Sequence, residues 1–234
     1  SRGLGDVYKR QLLQGAWVTL SVAVVTLPFG LALGLLVALG FRSSSSAWKR
    51  LATVYTTVFR GLPELLTLYI IYFGFQLLVE RLIKFFHFES QFSISPFVAG
   101  VVALGLVLAA FSAEVWLGAF NALNTGQIEG AYALGLGRFQ TFRHIVWPQL
   151  VRVALPGLGN NWMVLLKETS LVSVITLQDT MFIATRANVV TKEPFLFFGA
   201  AACIYLFFSM VSALGLWVLE RRSARGFVRI GGRS

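Results

Sequence analysis

The residues able to do chemistry in this chain are few, and most lie in apolar surroundings. Glu114 sits in FSAEVWLGAF, and Lys167 and Glu168 sit in NNWMVLLKETS, where Asn160 and Asn161 open the run. Arg60 and Glu64 flank Pro63, and Asp179 follows further along. Charged groups inside apolar spans are costly, so they either pair with one another or line a path for a polar solute. A zwitterionic solute needs one positive and one negative partner, with polar groups for its side chain. Glu114 suits an ammonium or guanidinium group, and Lys167 suits a carboxylate or a neighbouring acid. Asn160 and Asn161 precede Lys167 by seven and six residues, which brings them close to one helical face. The competing reading is an ion pair that holds helices together. Arg60 and Glu64 are four apart, suit a pair on their own helix, and are read as structural. Catalysis has no comparable candidates. The chain has two histidines and one cysteine, too few and too scattered for a metal site or a triad. The phosphate-binding loop, HExxH and GxSxG patterns are all missing, so this chain is not expected to be an enzyme.

A second group of polar residues is local in sequence. EGAYALGLGRFQTFRHIVWPQL runs from Glu129 to Leu150 and interrupts an otherwise apolar chain. Asn124 or Thr125 can cap a helix there, and Glu129 then lies near the first turns, where a carboxylate suits the helix dipole. Small residues at Ala131, Ala133, Gly135 and Gly137 let another body approach the backbone. The helix resumes at Arg138 with Phe139, Phe142 and Val146 at i, i+3 and i+7, an apolar stripe. Pro148 is expected to end or bend it. The segment reads as two short helices around a tight glycine-rich turn. It either packs on its own subunit or docks a soluble partner.

Elements must carry these residues, and composition says which kind. The chain has 234 residues, 56% hydrophobic and 13% charged, against about 25% charged in an ordinary soluble domain. That points to an integral membrane protein. Five stretches reach the roughly 20 apolar residues that a membrane helix needs: 12–41, 51–79, 96–120, 154–183 and 195–219. Residues 121–150 form a loop between the third and fourth, and 221–234 a basic tail. The expected fold is all-α, and Pro28 is a candidate kink in the first span. Residues 1–11 show no apolar periodicity and read as a non-native-looking or disordered leader. Glycines 30, 34, 100 and 105 suit close helix packing. The net charge of +10 would suggest nucleic acid in a soluble protein. Here the basic residues cluster at the ends of apolar runs, so no nucleic-acid partner is expected. Eleven of them follow the odd-numbered spans, against four on the other side, or seven with the leader. The positive-inside rule then puts the N-terminus outside, and the loop and C-terminus in the cytoplasm. His87, in an outer connection that looks amphipathic, reads as a surface histidine.

The loop carries a resemblance. Glu129-Gly130-Ala131, three residues to Gly135, nine to Ile145, then Trp147-Pro148 resembles the EAA loop of ABC importer permeases, EAA-x3-G-x9-I-x-L-P. Gly130 replaces the middle alanine and keeps its small size; Trp147 replaces leucine and is bulkier. LLQGAWVTL, VFRGLPELL, YFGF and ALPGLGNNWMVLLKETSLVSVI look like the polar amino-acid branch of that family. YTTVFRGLPEL and PGLGNNW are most similar to permeases for histidine, lysine-arginine-ornithine and opines. The resemblance implies a bacterial inner-membrane subunit that pairs with a second permease, a heterodimer being favoured. It implies ATPase subunits beneath, which bind ATP and Mg while this chain holds no cofactor, and an extracytoplasmic substrate-binding protein above. Glu129, Gly130, Ala131, Gly135, Arg138, Phe139, Phe142, Arg143, Ile145 and Pro148 become the coupling residues. Glu114, Asn160, Asn161, Lys167 and Glu168 become the substrate path. A membrane scaffold that recruits a cytoplasmic protein through the same loop is the alternative. A stand-alone carrier would show inverted repeats, and five spans do not divide into them.

Overall fold

The computed structural model describes residues 2–86 and 93–224. His87 and the tail beyond Ala224 lie outside the described residues. All regular elements among the described residues are helical. Helix α1 (Arg2–Arg42) passes through Pro28 without ending. It begins ten residues before the expected start at Leu12. Residues set aside as a leader are its first turns, and Tyr8 packs edge-on against Phe197 with ring centres 5.7 Å apart.

The expected second span, 51–79, is not one helix. Helix α2 (Ser46–Gly61) ends where Leu62 and Pro63 turn extended, and α3 (Glu64–Tyr69) starts afresh. Pro63 lacks an N–H and its ring disfavours helical geometry at the residue before it, which accounts for the break. A π-helical turn (Ile70–Gly74) joins α3 to α4 (Phe75–Phe85). Helix α5 (Pro96–Ala122) is the most buried element. At the bundle end reached by α1 and α5, α6 (Thr125–Ala133) and α7 (Arg138–Thr141) lead through a π turn (Phe142–Val146) into α8 (Trp147–Glu168). Pro148 therefore does not end the helix. It lies in the first turn of α8, where a missing N–H does little harm. After Glu168 the chain tightens to a 3₁₀ helix (Thr169–Ile175), turns at Thr176 with φ 65°, and forms α9 (Thr180–Thr191) and α10 (Pro194–Ala224). The expected fourth span, 154–183, is thus broken near its end.

Helices α1 and α5 run side by side in the same direction. Gly30 faces Leu108 and Gly34 faces Ser112, and Arg42 reaches Asn121 at the end. Phe29 fills the space over Gly105, and Gly100 lies against Val172. Without water to expel between helices, such close backbone approach is what holds a bundle together in lipid. Trp116 adds a hydrogen bond, its Nε1–H donating to the Leu31 carbonyl at 3.1 Å. Helix α8 runs opposite to α5: Leu150 and Ala154 pack with Trp116 and Phe120, Gly157 meets Val115, and Leu165 and Val172 join Ala103 and Leu104. Helix α10 reverses again, with Leu216 over Gly159. The start of α1 and the end of α10 therefore lie at opposite ends of the bundle. By length and composition, Val7–Arg42, Glu64–Phe85, Pro96–Ala122 and Pro194–Ser223 can each cross a membrane.

Candidate functional site

The segment 125–148 begins with a cap: Asn124 accepts the Gly126 N–H at 2.9 Å. It turns by a specific device. The Leu136 N–H donates to the Ala131 carbonyl at 3.1 Å and the Gly135 N–H to the Tyr132 carbonyl at 3.0 Å, while Gly135 sits at φ 82°. These paired bonds around a left-handed residue form a Schellman motif, which satisfies the carbonyls left over at the end of α6. The Gly137 N–H then donates to Gln140 Oε1 at 3.1 Å, which caps α7.

The segment is tied to the bundle on one side and open on the other. Gln149 Nε2 donates to Gln127 Oε1 at 2.6 Å, linking α8 to α6. Ala131 and Thr141 are buried. Facing outward are Leu134 (83% exposed), Phe139 (72%), Tyr132 and Phe142. Glu129, Gly130, Gly135, Arg138, Arg143 and Pro148 are also exposed, and Ile145 is half-buried. Added Cβ atoms at Gly130 and Gly135 would meet nothing within 4 Å. Neighbouring Phe142 and Trp147 rings lie 6.1 Å apart, and Trp147 stacks on Trp116 at 6.1 Å. The turn is thus anchored to the bundle through Gln127 and Gln149 and leaves an exposed apolar cap open on its other side.

The polar residues of the spans divide into separate groups. Glu114 accepts an ion-paired hydrogen bond from Arg60 of α2. The pairing of Arg60 with Glu64 is therefore overturned: the break at Pro63 removes the shared helix on which i,i+4 neighbours would meet. Glu64 instead lies close enough to Glu168 to act on its charge, as Lys167 does. Lys167 itself points elsewhere, into a cavity of about 390 Å³ with Ser170, Met181, Phe198 and Tyr205. On α8, Val153, Asn160, Val164 and Lys167 are all exposed and share one face. Asn161 turns away from it, and its Nδ2 is buried without a partner. Of the five residues assigned to the path, Asn160 and Lys167 thus share a face, while Asn161 turns away and Glu114 is paired with Arg60.

One buried charged residue, named in the sequence without a role, acquires partners in the fold. Asp179 is fully buried, accepts the Phe182 N–H at 2.9 Å as the cap of α9, and receives a long hydrogen bond from the Tyr205 hydroxyl at 3.5 Å. Thr19 and Thr180 hydrogen-bond beside it at 2.9 Å. Aspartate is a favoured cap, which was legible. Its union with Thr19 of α1 and Tyr205 of α10 had no sequence signal, because the partners are remote along the chain.

A bundle of apolar helices, four of them long and apolar enough to cross a membrane, defines a multi-pass membrane protein. Residues 30–225 match the family described as binding-protein-dependent transport system inner membrane component, and the chain belongs to it. It is 39% identical over 224 residues to the octopine transport system permease protein OccQ of Rhizobium meliloti, covering 96% of this chain and 94% of that one. It is equally identical over 218 residues to the histidine/lysine/arginine/ornithine permease HisQ of Escherichia coli, covering 93% and 95%. The crystal structure of an amino acid ABC transporter with histidines superposes with a TM-score of 0.77 at 32% identity, over 93% of this chain and 96% of that one. An inward-facing MetNI methionine transporter shares the fold, with a TM-score of 0.74 at 18% identity, over 92% and 97%. The chain is therefore an inner-membrane permease subunit of an ABC importer, not an enzyme, and ATP hydrolysis belongs to a separate subunit in such systems. The scaffold alternative is not favoured.

Proposed function

We propose that this subunit moves polar, cationic amino acids or opines into the cytoplasm by alternating access, driven by an ATPase that grips residues 125–148. The observation that carries this reading is the Schellman turn with its exposed apolar cap and its anchor through Gln127 and Gln149. Closing of the ATPase dimer would draw two such segments together, and a segment that moves as one body transmits that motion to α5 and α8. Glu129, Gly130, Ala131, Gly135, Arg138, Phe139, Phe142, Arg143, Ile145 and Pro148 are the coupling residues, and Arg138 and Arg143 face acids of the ATPase. The relatives named for octopine and for histidine, lysine, arginine and ornithine support the substrate class.

Five crossings fit better than four. Helix α8 has 22 residues, about 33 Å at 1.5 Å per residue, against a hydrocarbon core of about 30 Å. With the 3₁₀ helix that follows it, α8 also runs alongside α5 from Phe120 to Gly100. The basic residues then favour the N-terminus outside and the C-terminus inside. Glu114, Asn160, Asn161, Lys167 and Glu168 remain the residues assigned to the substrate path. Glu168, within electrostatic reach of Glu64, is suited to a guanidinium or ammonium group, since neither acid forms an ion pair among the described residues. A second, different permease and an extracytoplasmic binding protein complete the assembly. The test is ATPase activity of the reconstituted importer with its binding protein. Arginine, lysine, histidine or octopine should stimulate it. Stimulation by neutral or acidic amino acids alone would refute the substrate class.

A further inference from the structure

The bundle end that carries segment 125–148 holds a cavity of about 380 Å³ enclosed by α1, α5, α6, α7 and the π turn. Its wall includes Arg42, Arg138, Thr125, Tyr132 and Thr141, and its lining contains no carboxylate. Arg42 leans on the Phe120 ring at 4.9 Å and makes one long hydrogen bond, 3.5 Å to Asn121 Oδ1. That leaves most of its donors unused. Arg138 has no ion pair among the described residues. Thr141 is the independent sign: its residue is 1% exposed and its Oγ1 has no hydrogen-bond partner. A buried hydroxyl without a partner is destabilising, and a polar group reaching it through this cavity would satisfy it. Two guanidinium groups, a buried hydroxyl and no competing acid make an oxyanion receptor, and guanidinium is the group best matched to phosphate.

We propose that this cavity binds a phosphate group, with Arg42 as its principal cationic partner, exposed Arg138 shared between it and the ATPase-facing surface, and Thr141 Oγ1 as a hydrogen-bond donor. Its two possible sources are the headgroup of an anionic phospholipid and a free cytoplasmic phosphate. Basic pockets on the cytoplasmic side of membrane bundles suit lipid headgroups; the placement of this one in the inner leaflet rests on the topology proposed above. Bound there, the anion bridges the end of α1 to the segment that receives force, so anion supply would tune coupling.

The test uses the assembled importer in nanodiscs. Phosphatidylglycerol is titrated into phosphatidylcholine discs, and retained lipid is read by native mass spectrometry. In parallel, inorganic phosphate is titrated against complexes in phosphatidylcholine discs alone, with ³¹P line broadening as the readout. Wild type should retain phosphatidylglycerol over phosphatidylcholine, or bind inorganic phosphate. Arg42→Gln should weaken that binding about tenfold, as loss of a charge-assisted partner does. Thr141→Val, close in shape, should weaken it about threefold. Selective retention of phosphatidylglycerol assigns the headgroup, and phosphate binding that displaces it assigns the free anion. Wild type that prefers neither probe overturns the proposal. So do Arg42→Gln and Thr141→Val variants that bind as wild type does.

Discussion

Gly135 separates two reasons for a glycine in the docking segment. Its φ of 82° requires the left-handed region, and its added Cβ would meet nothing within 4 Å. Replacing it with alanine therefore incurs no steric contact inside the subunit. The cost is conformational, about 1–2 kcal/mol for an L-residue in that region. That lowers the population of the correctly turned segment about 5- to 30-fold relative to competing turns. Asparagine tolerates this region far better and should cost only a few tenths of that range. Tryptophan carries the alanine cost and also fills the open surface that a partner must approach. The expected order of binding-protein-stimulated ATPase activity and uptake in proteoliposomes is wild type, Gly135→Asn, Gly135→Ala and Gly135→Trp, the last abolishing transport with the protein still inserted. Equal loss in Asn, Ala and Trp variants would refute the backbone argument and point to a partner touching the Cα itself. Wild-type uptake by Gly135→Trp would refute the docking role.

The other predictions rest on packing and charge. Gly34→Leu should lower the thermal midpoint in detergent sharply, because a Cβ there collides with Ser112 Oγ and lies 2.9 Å from the Ala109 carbonyl; Gly199→Leu, with nothing within 4 Å of its Cβ, should leave it nearly unchanged. The Arg60–Glu114 pair ties α2 to α5, so a double-mutant cycle of Arg60→Met and Glu114→Gln should return a favourable coupling free energy; strictly additive effects of the two substitutions would make the pair incidental. Glu168→Gln and Glu64→Gln should each reduce uptake of arginine more than that of a neutral amino acid; equal reduction of both would make the two acids structural. Gln127→Leu should weaken coupling of ATPase activity to uptake, since it severs the tie to Gln149.

Much of this protein was legible before any coordinates. Class and family followed from composition and from the spacing of Glu129, Gly135, Ile145 and Pro148. The cap at Asn124, the glycine-rich turn and the close-packing glycines were also visible, because each depends on residues a few positions apart or on one residue's shape. Breaks were harder to see. Pro63 was in view, yet the apolar run around it suggested an unbroken span, and the pairing of Arg60 with Glu64 followed from that error. Whether Pro148 would stop a helix or start one depended on the π turn before it.

What the sequence by itself determined was therefore local and compositional: apolar runs long enough for lipid, a segment too polar to stay there, and a turn that needs glycine. Only the tertiary structure decided which charges meet. Arg60 found Glu114 across fifty-four residues, Glu64 came within electrostatic reach of Glu168, and Arg42 joined Arg138 around one cavity. Helical periodicity fixes the face a residue occupies within its own element, whereas the neighbour on that face is set by how whole helices cross and by how closely small residues let them approach.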